Sequence, residues 1–153
     1  MPDSGSKLKM YPLAWLLLAL LAIFLLDRFL PITDLIPKPF GWAGLIFIIP
    51  GILIVFHSGA SFIDAKTGLL PFSEATTLVT SGLYRFTRNP MYLGMVLCLL
   101  GVAVFLGSLS ALIPVAAYAW IIDRRFIRNE EAFLQEIFGD EYLAYMKRVR
   151  RWI

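Results

Sequence analysis

The sequence contains few residues that can support charge, metal or redox chemistry. Of its 153 residues, 16% are charged, one is cysteine and one is histidine. Cys98 has no partner for an internal disulfide, and it lies in an apolar run where a reactive thiol is not expected. His57 has no second histidine or cysteine near it, so a metal site is not expected. We expect His57 to be either an interfacial side chain or a contact to a substrate or cofactor.

Features of a nucleic-acid-binding protein are also missing. The net charge is only +3, no basic stripe precedes the C-terminal region, and no aromatic platform stands in a soluble domain. Apolar residues are in excess: they make up 59% of the chain, well above the share in a soluble domain. No linker divides the sequence. It therefore predicts one membrane-embedded domain over residues 1–153 in contact with a lipid bilayer, with no indication of oligomeric state.

Four apolar runs predict an all-α polytopic integral membrane protein with about four transmembrane helices. The runs cover residues 12–26, 40–56, 91–106 and 109–122. No small-residue cleavage site follows the first run, so we expect it to be retained. Pro50 should bend the second run, with a neighbouring helix covering the bend. Gly107 and Ser108 separate the last two runs and predict a tight helical hairpin. Small residues should let its helices approach closely: Gly94, Gly101, Ala103, Ser110, Ala111, Ala116 and Ala117.

The polar segments complete this prediction. Residues 57–77 form the longest polar stretch and are expected to be a loop. Residues 123–137 should extend the hairpin as a water-side helix, in which Arg128 and Glu131 are within pairing reach. Gly139 suits a left-handed cap at its end. The segment 141–152 is amphipathic and predicts a helix lying along an anionic leaflet. Its expected apolar face comprises Tyr142, Tyr145, Met146 and Val149.

The distribution of basic residues predicts the orientation. With four crossings, both termini lie on the same side of the membrane. Placing them in the cytoplasm leaves only Arg28 and Lys38, of the 14 lysines and arginines, on the outside. This distribution follows the positive-inside rule.

Residues 78–94, LVTSGLYRFTRNPMYLG, are called the signature segment here. Asn89 is suited to cap a helix whose first residue is Pro90. Arg85 and Arg88 place positive charge at the water side of that helix. Considered as residues alone, the segment fits an ordinary membrane-helix start and a functional site about equally well.

The signature segment resembles the LVxxGxYxxxRHPxYxG pattern of the isoprenylcysteine carboxyl methyltransferase and phospholipid methyltransferase superfamily. A second block, Glu130–Glu131 followed by Leu134, Phe138–Gly139 and Tyr142, is similar to the EExxL…FGxxY tail of that superfamily. The resemblance extends over about residues 78–145. It implies a short, bacterial-type member in the inner membrane, with residues 1–56 as N-terminal spans and 57–153 as the catalytic core.

The resemblance implies a methyltransferase that uses S-adenosylmethionine and releases S-adenosylhomocysteine. It implies cofactor contacts at Thr76, Thr77, Leu78, Val79, Tyr84, Asn89, Pro90, Met91, Tyr92 and Glu130. Methyl transfer to a carboxylate needs a cation to hold the acceptor, for which Arg88 or Arg125 is suited. Transfer to an amine needs a proton acceptor, for which Glu131 is suited.

The sequence departs from the superfamily pattern at Asn89, where a histidine is usual. Asparagine can hydrogen-bond but cannot carry a proton near neutral pH. The resemblance implies a lipophilic or lipidated acceptor, such as an isoprenylcysteine carboxylate. A phospholipid amine acceptor and a non-catalytic membrane scaffold or transport subunit are the alternatives.

Overall fold

The computed structural model describes residues 12–33, 35–65 and 76–153 and is built from helices. Within these residues there is no β-strand, and an isolated parallel bridge joins Thr87 to Arg150. The described residues contain five α-helices in the order α1 (Pro12–Phe29), α2 (Leu45–Asp64), α3 (Pro90–Leu106), α4 (Leu112–Ile121) and α5 (Arg128–Arg148). The prediction of an all-α fold is confirmed.

Two helical segments, Pro12–Phe29 and Pro39–Asp64, are long and apolar enough to cross a membrane. Many of their large apolar side chains are exposed: Leu17 is 60%, Ile46 70% and Phe56 74% exposed. Apolar surface of this kind suits hydrocarbon rather than water. Helices α3 and α4 have 17 and 10 residues and are shorter than a full span. Four crossings therefore stay a prediction.

Helix α2 is longer than the sequence predicted. Residues 57–64, expected to begin a polar loop, form its last two turns. The stretch contains no proline, and its serines satisfy their own hydroxyl groups within the helix. Ser58 donates to the Ile54 carbonyl at 2.6 Å and Ser61 to the His57 carbonyl at 3.1 Å. Because serine can bond back to the preceding turn, polarity alone did not end the helix.

Helices α2 and α3 approach closely through two pairs of facing glycines. A Cβ atom on Gly94 would lie 2.7 Å from the Gly51 carbonyl oxygen, and one on Gly101 would lie 2.6 Å from that of Gly44. Gly94 and Gly101 of α3 stand seven residues apart, as do Gly51 of α2 and Gly44, the residue before α2, so both pairs meet in the same antiparallel register. Gly51 also contacts Cys98, which places α3 over the turn that contains Pro50. Close backbone approach of this kind is how helices associate in lipid.

We expect Gly101→Ala to lower the free energy of unfolding by about 1–3 kcal/mol, the usual effect of overpacking a tight contact. The new methyl group would overlap the Gly44 carbonyl and lie 2.5 Å from Ile48 Cγ1. Denaturation in a fixed detergent measures the change. Gly59→Ala is the matched control, since a Cβ there would meet only Met91 Cε, at 4.0 Å. Equal stability of the two variants would contradict the close approach.

The predicted hairpin between α3 and α4 is confirmed. Gly107 makes the turn with φ +86°, a conformation that favours glycine. Its carbonyl accepts hydrogen bonds from the Leu35 and Ile36 amides at 2.8 and 3.2 Å. Five of the predicted small residues are buried, but two are not. Ala116 and Ala117 are exposed because α1 packs against the opposite side of α4.

The returning helix runs on from α4 into α5 through a π-helical turn, Ile122–Ile127. Gly139 has φ +49° and ψ −122°, which is not the left-handed helical conformation of the predicted cap, so that detail of the prediction is wrong. The residue kinks α5, and the helix resumes directly after it. Beyond the kink the structure differs from the sequence prediction. Tyr142, Tyr145 and Val149 are buried against Leu78 of the signature segment and are not free to face a leaflet. Amphipathicity alone does not distinguish a lipid surface from a protein surface as the partner.

Candidate active site

The signature segment makes a compact turn before α3. Gly82, with φ +60°, begins a 3₁₀ turn that ends at Arg85. Pro90 is the first residue of α3, as predicted, and Asn89 precedes it. The Asn89 side chain does not cap the helix, however, so that detail of the prediction is wrong. Its amide is engaged elsewhere, which leaves the start of α3 without a side-chain cap.

Residues 149–152, called the C-terminal strap here, lie along this turn. The Arg88 amide donates to the Arg150 carbonyl at 2.9 Å. The Thr87 hydroxyl and the Asn89 side-chain amide both donate to the Arg151 carbonyl, at 3.1 and 3.0 Å. Asn89 is therefore buried as a donor to the strap, which explains why it does not cap α3. The strap fixes three consecutive residues of the signature segment.

Arg88 lies at the centre of this contact, with only 9% of its side chain exposed. Nη1 donates to the Met146 and Val149 carbonyls at 3.2 and 2.7 Å. Nη2 donates to Glu131 at 2.7 Å. Nε is buried without a hydrogen-bond partner among the described residues. Arg88 thus joins the signature segment to residues on both sides of the kink in α5. Three of its five N–H groups are used, and Nε–H is one of the two that remain.

Glu131 is held between two arginines. Its Oε1 accepts from Arg88 Nη2 at 2.7 Å and from Arg151 Nε at 3.0 Å, and its Oε2 accepts from Arg151 Nη2 at 2.7 Å. Burial by itself would raise the pKa of Glu131, but the hydrogen bonds from Arg151 and Arg88 outweigh it and hold this pKa below its ordinary value. The predicted pairing with Arg128 is wrong: Arg128 lies 3.6 Å from Asp123 instead. Fully paired and ionised, Glu131 is a poor proton acceptor.

Glu130, the adjacent residue, has a different environment. Its Oε1 accepts a hydrogen bond from the Tyr92 hydroxyl at 2.8 Å. Burial raises the pKa of Glu130 to about 7; the Tyr92 bond opposes the shift, and the Glu131 charge adds to it. The surroundings therefore shift the pKa values of the two neighbouring carboxyl groups in opposite directions. Glu130 is the one that titrates near neutral pH, next to the first turn of α3.

Tyr84 completes the buried polar cluster. Its carbonyl accepts from the Tyr145 hydroxyl at 2.6 Å, and its ring meets Phe62 edge-on at a centroid distance of 5.5 Å. Burial, with smaller contributions from Tyr145 and Glu130, raises the pKa of Tyr84 well above its ordinary value, so the phenol stays neutral. Tyr84 thereby ties the end of α2 to the last turns of α5.

The other residues predicted for the site are more scattered. Val79 and Pro90 are buried beside the turn, Met91 is half-buried, and Leu78 packs on Tyr142 and Tyr145. Thr76 and Thr77 are exposed. Arg125 lies on the π-helical turn, with its guanidinium 5.8 Å from the ring centre of Trp15 on α1.

His57 stands near the site without joining the polar cluster. A pocket of about 400 Å³ opens at the end of α2 beside the signature segment, lined by His57, Ser61, Asp64, Ala65, Ser81 and Gly82. A Cβ on Gly82 would lie 3.5 Å from His57 Nε2. In the parts of the chain that are described, no group of three His, Cys, Asp or Glu side chains is placed to hold a metal ion.

Arg151, Tyr145 and Asp123 are the site residues that the sequence did not indicate. Arg151 also lies 3.4 Å from Asp123, which accepts from the Trp152 indole at 3.2 Å. In the sequence Arg151 is one of four basic residues between positions 147 and 151 and looks no different from the others. Its partners lie 20 and 28 residues away, beyond the reach of a helical periodicity.

Comparison with known proteins identifies the family. Residues 40–141 match the family described as phospholipid methyltransferase. The matched region includes α2, the signature segment and the acidic pair Glu130–Glu131. The chain belongs to the phospholipid methyltransferase family. The predicted membership is confirmed, and membrane association agrees with the two apolar helices.

Similar curated proteins are isoprenylcysteine methyltransferases. Protein-S-isoprenylcysteine O-methyltransferase A of Arabidopsis thaliana is 34% identical over 110 residues, which are 69% of this chain and 55% of the relative. The enzyme of Rattus norvegicus is 34% identical over 111 residues, 70% of this chain and 38% of the relative. The enzyme of Schizosaccharomyces pombe is 36% identical over 72 residues, which are 47% of this chain and 30% of the relative. The chain thus spans about a third to a half of their lengths. No solved structure matches it.

Proposed function

We propose that this chain transfers a methyl group from S-adenosylmethionine to a lipophilic or lipidated acceptor at the boundary between membrane and cytoplasm. The observation that carries the proposal is the Tyr92–Glu130 pair, at 2.8 Å, beside the uncapped first turn of α3. The names of the relatives support isoprenylcysteine-like carboxylates as the acceptor class. Four crossings with cytoplasmic termini in a bacterial inner membrane belong to the same proposal, because they put the signature segment and the acidic pair on one side.

The residues of the site fit the polar groups of the donor. An uncapped helix start offers free N–H groups and a positive dipole end for a carboxylate. The buried, unpartnered Arg88 Nε is a further donor for an anion. Glu130 can accept from an ammonium or from ribose hydroxyls, and the Tyr84 and Tyr92 rings can face an adenine or a cation. Thr76, Thr77, Leu78, Val79, Asn89, Pro90 and Met91 are proposed to line the same site.

When bound, the donor supplies a methyl group on a positively charged sulfur, which is transferred in line to the acceptor. The chain's own task is to align the two molecules and exclude water. We propose that Glu131 and Arg88 act by holding the site rather than by touching the acceptor, since they neutralise one another. Arg125 remains as the cation for an acceptor carboxylate. It is exposed beside Trp15 of α1, where a lipophilic molecule can reach it from the membrane.

A phospholipid amine is the second acceptor class, and one observation favours it. An amine must lose its proton before it attacks, and a carboxylate with a pKa near 7 is suited to receive that proton. Glu130 replaces Glu131 in this role, because Glu131 is occupied by Arg88 and Arg151. The remaining alternative is a non-catalytic scaffold. A scaffold would require neither a Glu130 pKa near 7 nor the hydrogen bond from Tyr92 to Glu130.

Transfer of a labelled methyl group tests the proposal. Purified protein is incubated with methyl-labelled S-adenosylmethionine and either a prenylated cysteine or vesicles that contain phosphatidylethanolamine. We expect label in the prenylcysteine as an ester, which mild base releases as methanol. Base-stable label in the phospholipid would establish the amine acceptor instead. Label in neither acceptor, with protein that binds the donor, would contradict both enzymatic proposals.

A further inference from the structure

Arg151 contacts three separate parts of the site. Its guanidinium binds both oxygens of Glu131 on α5, at 3.0 and 2.7 Å. The same group reaches Asp123 on the π-helical turn at 3.4 Å. Its backbone carbonyl accepts from Thr87 and Asn89 of the signature segment. The neighbouring Arg150 has an exposed side chain, and only its backbone takes part in the strap.

The geometry of these contacts suits arginine in particular. A guanidinium presents a rigid fork that matches both oxygens of a carboxylate and restricts rotation of the pair, which a single ammonium cannot do. Glu131 lies in the first turn of α5, next to Glu130 in sequence. Fixing the Glu131 side chain therefore fixes the orientation of α5 that brings Glu130 within 2.8 Å of the Tyr92 hydroxyl.

We propose that Arg151 is a positioning residue: by clamping Glu131 and holding Asn89 through its carbonyl, it sets Glu130 against the first turn of α3. This inference rests on the proposed donor site, of which Glu130 is a part. The family match ends at residue 141, so the matched region does not include Arg151. Arg151 acts through Glu131 and Asn89 and is not itself proposed to touch the donor or the acceptor.

Removing Arg151 also changes the charge that Glu130 experiences. The titratable groups that interact with Glu130 are Tyr92 from α3, Tyr84 from the signature segment, and Glu131 and Tyr142 on its own helix. The Glu131 charge already raises the pKa of Glu130. Without Arg151, Glu131 keeps only Arg88 as a cation. Its charge is then less compensated, so the pKa of Glu130 moves further upward. A purely structural contact would not produce this shift.

The test compares Arg151→Ala and Arg151→Lys with the matched control Arg150→Ala. The first readout needs no ligand: it is hydrogen exchange of the amides between residues 86 and 93. We expect Arg151→Ala to exchange faster there, and Arg150→Ala to behave as the unmodified protein does. Arg151→Lys keeps the charge but not the fork, so we expect intermediate exchange. It also serves as the informative variant if Arg151→Ala does not fold.

The second readout is the affinity for S-adenosylhomocysteine as a function of pH. In Arg151→Ala we expect it to be roughly tenfold weaker, as for a misplaced polar contact, with its pH midpoint moved to higher pH. Unchanged exchange in both Arg151 variants would overturn the inference, and so would an equal effect of Arg150→Ala. If the unmodified protein binds no S-adenosylhomocysteine, the proposed function fails, while the exchange data still decide whether Arg151 holds the turn.

Discussion

Replacing Arg88 with alanine is expected to lower the free energy of unfolding by about 3–5 kcal/mol, the usual effect of breaking a buried ion pair by removing one partner. The Arg88 side chain is 9% exposed and donates to Glu131 and to two carbonyls, those of Met146 and Val149. Without it, the signature segment keeps the Tyr92–Glu130 hydrogen bond to α5 but loses its ion pair with that helix. The loss should be larger than that from any single exposed charge, because exposed ion pairs contribute about 0–1 kcal/mol.

Denaturation of the purified protein in one detergent measures this effect. Arg85→Ala is the matched control, since Arg85 lies three residues earlier and is exposed. We expect the control to change the stability by less than about 0.5 kcal/mol. If Arg88→Ala were as stable as Arg85→Ala and only its turnover were lower, Arg88 would be a contact to the acceptor, as the sequence first indicated.

Glu130→Gln is expected to weaken binding of S-adenosylhomocysteine by roughly 10- to 100-fold, which corresponds to the loss of a hydrogen bond to a charged group. Glutamine keeps the size of the side chain and can still meet the Tyr92 hydroxyl, so the fold should persist. It cannot provide the negative charge that an ammonium or ribose hydroxyls require. Calorimetric titration of both proteins at pH 8 gives the ratio directly.

Binding by the unmodified protein should also depend on pH. Because the pKa of Glu130 is raised to about 7, most of its carboxyl groups are protonated at pH 6 and ionised at pH 8. Affinity for S-adenosylhomocysteine is therefore expected to increase as the pH rises, by roughly tenfold across this range for one linked proton. Glu130→Gln should abolish the dependence. Glu136→Gln, an exposed position on the same helix, is the control; an equal loss of affinity there would show that Glu130 has no special role.

The fold was largely predictable because its signals are local. Apolar runs and the Gly107 turn each depend on a few adjacent residues, and the structure has helices and a turn at those places. At Gly139 the structure has a kink with ψ −122° instead of the predicted left-handed cap. The end of α2 was not predictable from polarity, since Ser58 and Ser61 satisfy their hydroxyl groups inside the helix. Helix length also left the number of crossings open, because α3 and α4 are shorter than a bilayer requires.

The sequence predicted which residues form the site better than it predicted their hydrogen-bond and ion-pair partners. Tyr92, Glu130 and Tyr84 are buried or half-buried around one turn, as the resemblance implied. The partner of Glu131 was wrongly predicted, because helical spacing suggested Arg128, whereas Arg88 and Arg151 are 43 and 20 residues away. The same applies to Asn89, whose amide finds the Arg151 carbonyl 62 residues later instead of capping its own helix. Contacts between residues so far apart in the sequence depend on how the helices pack.

Calorimetric titration of the unmodified protein with S-adenosylhomocysteine, in detergent at pH 8, tests the central claim most directly. The account predicts saturable binding to one site, together with a higher melting temperature that increases with ligand concentration. Absence of both heat and stabilisation at millimolar ligand, in protein shown to be folded, would contradict the claim that the signature segment, the acidic pair and the C-terminal strap form a methyl-donor site.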